Sequence, residues 1–208
     1  VMANAGVIQN SGPSPIRSPD FVPLRPWIGV GASMLGAFMA VLDIQITNSS
    51  LQDIQAALGA TLEEGSWIST AYLVAEIVVI PLTGWLSQVF SIRRYILVNA
   101  ALFIFFSVCC ASAWNLPSMI FFRAFQGATG GILIPMAFTN MLISLPPSKQ
   151  PIGLALFALT ATFAPSIGPT LGGWLTNNFS WHYIFYINVI PGLLLLAGVW
   201  YGIAKQRP

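Results

Sequence analysis

Charge is scarce in this chain. Eight Lys and Arg, six Asp and Glu and a single His leave only 7% of 208 residues charged, while 56% are hydrophobic. Soluble domains carry about 25% charged residues, so this deficit, with a mean hydropathy of +0.76, points into a bilayer. A net charge of +2 gives no reason to expect nucleic acid as a partner. Cysteine is almost absent too: Cys109 and Cys110 stand side by side in an apolar run. Neighbours on a helix point in different directions, and one His cannot complete a ligand cluster, so we read both as packing residues and expect no metal or cofactor. No nucleophile–base pair stands out, which leaves an intramembrane enzyme without a site. The alternating ten-residue segments of a membrane barrel are missing as well. Residues 1–26 lack periodicity, are broken by Pro13, Pro15, Pro19, Pro23 and Pro26, and show no basic–apolar–small order of a secretory signal. A flexible cytoplasmic tail is expected there.

What the chain does have is six apolar stretches near the roughly 20 residues that a bilayer crossing needs. They run Trp27–Asn48, Trp67–Gln88, Tyr95–Ala113, Pro117–Leu145, Ile152–Asn177 and Tyr183–Ala204. The expected fold class is therefore all-α integral membrane, with a transmembrane bundle over residues 27–208. Arg17 and Arg25 precede the first span, and Arg93 and Arg94 separate the second and third. Lys149 follows the fourth, and Lys205 and Arg207 follow the sixth. Alternating spans put all of these on one side, whereas Asp53, Glu63, Glu64 and His182 fall on the other. Positive residues stay cytoplasmic, so both termini of this segment are expected there.

Arg123 breaks the pattern, because it lies inside the fourth span. A mid-helix charge costs about 2.5–3.5 kcal/mol on insertion scales and by default marks a functional site. Asp43 in the first span and Glu76 in the second are the only acids similarly placed. With a rise of about 1.5 Å per residue, Asp43 and Arg123 come to similar depths toward the outer ends of antiparallel spans. Glu76 shares a helix face with Ser69, Tyr72, Thr83 and Ser87, a polar stripe expected to meet a cavity or another helix. For each ionisable residue the alternative is a neutralised contact that only fixes helix register.

The fifth span carries Ala164-Pro165-Ser166-Ile167-Gly168-Pro169-Thr170-Leu171-Gly172-Gly173-Trp174. Prolines and glycines at this density would break a soluble helix, at about 3 and 1 kcal/mol each, but a membrane helix tolerates them. Thr160, Ala164, Gly168 and Gly172 fall on one face, a groove where another helix can approach closely. Pro165 and Pro169 form a ridge beside it and predict a bend.

Several motifs follow one another in order. Leu42-Asp43-Ile44-Gln45-Ile46-Thr47-Asn48 is similar to an acidic first-span motif, L-D-x-T-I-V-N, with Gln45 where Thr is common. Trp67-Ile68-Ser69-Thr70-Ala71-Tyr72-Leu73 and Ile80-Pro81-Leu82-Thr83-Gly84-Trp85-Leu86 form a second-span pattern. Phe122-Arg123-Ala124-Phe125-Gln126-Gly127 matches R-x-x-Q-G, and the G-P-x-x-G-G of Gly168 to Gly173 looks like the "antiporter motif". Ser180-Trp181-His182-Tyr183-Ile184-Phe185-Tyr186-Ile187-Asn188-Val189 is similar to W-x-W-I-F-x-I-N-V at the entry to span six. On these residues, from Trp27 to Lys205, the chain resembles the amino-terminal half of a major facilitator superfamily drug:proton antiporter of the fourteen-helix EmrB/QacA type.

That resemblance implies two three-helix inverted repeats and proton-driven export of amphipathic small molecules across a bacterial inner membrane. It implies proton coupling by Asp43, Arg123 and Glu76, and it makes Tyr72, Gln126 and Asn48 candidates for the substrate cavity. Pro165, Gly168, Pro169, Gly172 and Gly173 would be the antiporter motif. A carboxyl-terminal half is the implied partner, with a periplasmic adaptor and an outer-membrane channel in two-membrane bacteria. The loop after span two departs from the family pattern G-x-L-A-D-R-x-G-R-K: Gly84, Arg93 and Arg94 remain, but Gln88 replaces the acid. With Gln88 the gating latch must rest on a weaker neutral hydrogen bond or lie elsewhere. A membrane scaffold or sensor that keeps the fold without transporting is the competing reading.

Overall fold

A computed structural model describes residues 22–205, so residues 1–21 of the tail expected over residues 1–26, with Arg17, lie outside the described residues, as does Arg207 near the other end. The described residues form helices throughout: α1 (Leu24–Ser49), α2 (Leu51–Leu58), α3 (Leu62–Val89), α4 (Ile92–Ala111), α5 (Leu116–Ser144), α6 (Gln150–Asn178), α7 (Tyr183–Tyr186) and α8 (Val189–Gly202). Six segments are long and apolar enough to cross a membrane, namely α1, α3, α4, α5, α6 and the run from Tyr183 to Gly202.

The boundaries differ from the expected ones for local reasons. α1 begins before Trp27, with Pro26 in its first turn, where a missing N–H costs nothing. Arg25 then ties this end to the end of α8, its Nε donating to the Tyr201 carbonyl at 2.8 Å. The connection after α1 contains the unexpected helix α2. Gly59, at φ 65°, closes α2 in the left-handed region, and a capping box between Thr61 and Glu64 starts α3 ahead of Trp67. The sixth span is interrupted at Ile187 and Asn188. Pro191 explains the break, because it has no N–H for the Ile187 carbonyl and its ring crowds that group.

Packing is nearly symmetric. α1 lies along α5, α6 and α8, while α5 lies along α1, α3 and α4, and α4 meets α8. Exchanging α1 with α5, α3 with α6 and α4 with α8 returns the same principal pairs, which is the signature of two related three-helix units. α1 and α5 form the centre, with 61% and 56% of their apolar windows buried against 22% and 17% for α3 and α6. A charge can therefore be hidden on α1 or α5 by the bundle itself. Three apolar clusters fill the bundle, one around Met39, Phe103, Met136 and Leu195, one around Ile46, Ile68, Met119 and Phe185, and one around Met34, Ala137 and Met141. Along α1, Asp43 falls between Met39 of the first cluster and Ile46 of the second.

Candidate functional site

Asp43 of α1 and Arg123 of α5 face each other at the centre, each 1% exposed. The only salt bridge among the described residues joins them, with Arg123 Nη1 2.5 Å from Asp43 Oδ2. Taking two ions out of water costs several kcal/mol each unless further hydrogen bonds complete the geometry. Here they do. Arg123 Nη1 also donates to Gln126 Oε1 at 2.8 Å, and Arg123 Nε donates to the Ile68 carbonyl at 3.4 Å. The other carboxylate oxygen, Oδ1, accepts from Asn188 Nδ2 at 2.7 Å and from Gln126 Nε2 at 3.2 Å. Asn188 Nδ2 reaches Ser107 Oγ at 3.0 Å, and Ser107 Oγ donates to the Phe185 carbonyl at 2.7 Å. The Arg123 guanidinium lies 4.3 Å from the Tyr72 ring centroid, a cation–π contact in a dry setting.

Each partner is supplied by the local fold. The break before Pro191 frees Asn188 from a continuous helix and lets it point inward. Gln126 sits one turn beyond Arg123 on the same face. Gly127, the last residue of the R-x-x-Q-G motif, has a packing role: a Cβ there would run into the backbone of Tyr72. This contact brings α3 against α5 and sets the Tyr72 ring beside Arg123.

Asp43, Arg123, Gln126 and Tyr72 thus meet in one buried cluster. Of the candidates for the substrate cavity, Tyr72 and Gln126 are fully buried within this bundle, and Tyr72 extends its hydroxyl to the Ala40 carbonyl at 3.4 Å. Asn48 is not part of the cluster. It is exposed at the end of α1 and accepts from Ser69 Oγ at 2.6 Å. Glu76 is buried but stands apart, packed against Gly131 of α5 and without an ion pair among the described residues.

On α6 the helix runs unbroken through Pro165 and Pro169. Gly168 and Gly172 meet α1 at Gln45 and at Ile46 and Ser49, while Pro169 is exposed and a Cβ on Gly173 would find open space. Only part of the expected motif is therefore a helix contact within this bundle. Of the expected gating loop, Gly84 and Gln88 lie in the last turns of α3 and Arg93 and Arg94 in the first turn of α4; Gly84, Gln88 and Arg94 are exposed, and Arg93 lies over the Trp200 ring at 4.4 Å.

Sequence reasoning missed Ser107 and Asn188 as members of the cluster. Asn188 left a signal, a polar residue three positions before a proline within an apolar span. Ser107 left none beyond being polar among Phe and Val.

Six bilayer-length helices, packed as two related triplets around a buried charge pair, define a secondary-transporter fold. The sequence model of the Major Facilitator Superfamily matches residues 33–208, and the chain belongs to that family. It is 44% identical over 176 residues to the colistin resistance protein EmrB of Acinetobacter baumannii, across 85% of this chain and 34% of that protein. To the multidrug export protein EmrB of Escherichia coli K12 it is 39% identical over 165 residues, 79% of this chain and 32% of that protein. The proton:xylose symporter XylE shares the fold, with a TM-score of 0.74 at 13% identity over 86% of this chain and 45% of that one. The chain thus spans 32–34% of the length of these two EmrB relatives.

Proposed function

We propose that residues 27–208 are the amino-terminal half of a proton-coupled exporter of amphipathic small molecules, with Asp43 as the proton carrier and Arg123 as its coupling partner. The observation that carries this reading is the company Asp43 keeps: one fixed cation and two neutral amides. As the cluster stands, every partner donates to the carboxylate, which suits the ionised acid. A proton on Asp43 turns one oxygen into a donor and weakens the pull on Arg123. Gln126 and Asn188 can answer by rotating their amides, since each carries an acceptor as well as donors. Arg123 is then left with a weaker partner in a buried place, and the balance between conformations shifts. Substrate and the carboxyl-terminal half would meet the uncovered faces of this bundle near the midplane. The names of the relatives, which speak of multidrug export and colistin resistance, support the substrate class. A periplasmic adaptor and an outer-membrane channel are the further partners this reading implies. Reconstituted full-length protein should move protons in response to an added amphipathic cation such as ethidium. Sealed liposomes without a substrate-dependent pH change, across a panel of amphipathic compounds, would overturn the proposal.

The orientation follows from the basic residues. Cysteines placed at Ser91 and Lys149 should be labelled from the cytoplasm, and those at Glu63 and Asn178 from outside. Labelling at position 149 by an impermeant reagent from the outer face would reverse the topology.

A further inference from the structure

The start of α4 and the end of α8 enclose a cleft of about 330 Å³ lined by Ser91, Arg93, Arg94, Leu97, Trp200 and Lys205. Three cations converge on it, and no described acid pairs with any of them. Asp53, Glu63 and Glu64 sit at the opposite end of the bundle, on α2 and the first turn of α3. Arg93 is already fixed, stacked on Trp200 at 4.4 Å with its Nε enclosed and unpartnered. Ser91 does not cap α4 with its side chain, so the first backbone N–H groups of a 20-residue helix add positive potential to the same place. The cleft is thus built for an anion.

The surface beside it identifies the anion's carrier. Arg94 begins a stripe at helical spacing, continued by Val98, Leu102 and Phe105, which are 57%, 39% and 59% exposed. On the other side of Arg94 an apolar cleft of about 340 Å³ runs between Leu86, Phe90, Tyr95 and Val98. A free phosphate has no use for either apolar track. A diacyl phospholipid fits both, its headgroup among the cations and its chains along α4. Trp200, at 66% exposure, has the amphipathic ring favoured at headgroup depth.

We propose that the cleft between α4 and α8 binds the phosphate headgroup of an anionic phospholipid, held by Arg93, Arg94 and Lys205 against Trp200. On the orientation proposed above, this is the cytoplasmic leaflet, whose anionic surface attracts such clusters. The site does not depend on what the protein transports.

The test uses full-length protein in detergent, with bound lipid read by native mass spectrometry after incubation with equal amounts of dioleoyl phosphatidylglycerol and dioleoyl phosphatidylcholine. The wild type should retain the anionic lipid preferentially. Arg94→Gln with Lys205→Gln, two exposed positions where folding is not at stake, should reduce that preference about fivefold for each charge removed. Lys149→Gln, which removes one charge away from the cleft, should leave it intact, without the roughly fivefold loss expected for one charge inside it. An unchanged preference in the double variant would overturn the proposal. Equal competition by glycerol phosphate and phosphatidylglycerol would overturn the lipid as the source and leave a soluble anion site.

Discussion

Asp43→Asn is expected to eliminate proton-driven export, because an amide keeps the shape of the carboxyl group and has no proton to release in this range. The variant should also be less stable by about 3–5 kcal/mol, since Arg123 stays charged at 1% exposure with its counter-ion gone. Neither result alone separates a proton carrier from a structural ion pair. Asp43→Asn combined with Arg123→Gln removes both charges and should recover much of the lost stability, as replacing a whole buried pair often does. Export should not return with it. A double variant that folds and still pumps uphill with normal pH dependence would make the pair structural and move attention to Glu76, which is buried without an ion pair among the described residues. Arg123→Lys completes the series. Its single ammonium cannot serve Asp43, Gln126 and the Ile68 carbonyl together as the guanidinium does, so coupling should fall at least tenfold, about the consequence of losing one charge-assisted hydrogen bond.

The charge pair was legible because charges are so few. With 7% of residues charged, any charge within an apolar run is conspicuous, and equal depth on antiparallel spans already brings Asp43 and Arg123 level. The neutral members were harder to read. Serines and threonines in these helices mostly bond back to their own turn, as Thr83 does to Val79 and Ser166 to Thr162. Nothing local shows that Ser107 instead reaches Asn188 and the Phe185 carbonyl. The helix α2 was invisible to a search for long apolar runs, although Gly59 and the Thr61–Glu64 box were both present as boundary signals. For Tyr72 the sequence offered a polar stripe but no depth. Only the close approach of Gly127 to the Tyr72 backbone turns that stripe into the α5 contact and seals the ring beneath Arg123.

The glycines of α5 and α6 should divide sharply when each is replaced by alanine. At Gly127 a Cβ would meet the Tyr72 carbonyl, Cα and carbonyl carbon, none of which can rotate away. One helix must then shift, which carries the Tyr72 ring off Arg123, and overpacking of this kind costs about 1–3 kcal/mol. At Gly172 the added Cβ meets Ser49 Oγ and the Ile46 carbonyl; the hydroxyl can turn, whereas the carbonyl cannot. The loss there should be smaller for alanine and severe for leucine. Gly173 has open space at the same position, so alanine should cost the bundle nothing and should gain up to about 1 kcal/mol of helix propensity. Thermal unfolding of the three variants in detergent should therefore rank Gly127→Ala below Gly172→Ala, and both below Gly173→Ala. Export adds a second measurement. Gly173 belongs to the expected antiporter motif, yet a Cβ there would meet nothing within this half, so a stable Gly173→Ala protein that transports poorly would place that glycine against the other half or the substrate. A stable Gly173→Ala protein with wild-type export would show that the motif does not act through Gly173 and would turn attention to Gly168 and Gly172, where α6 presses on α1 at Gln45, Ile46 and Ser49.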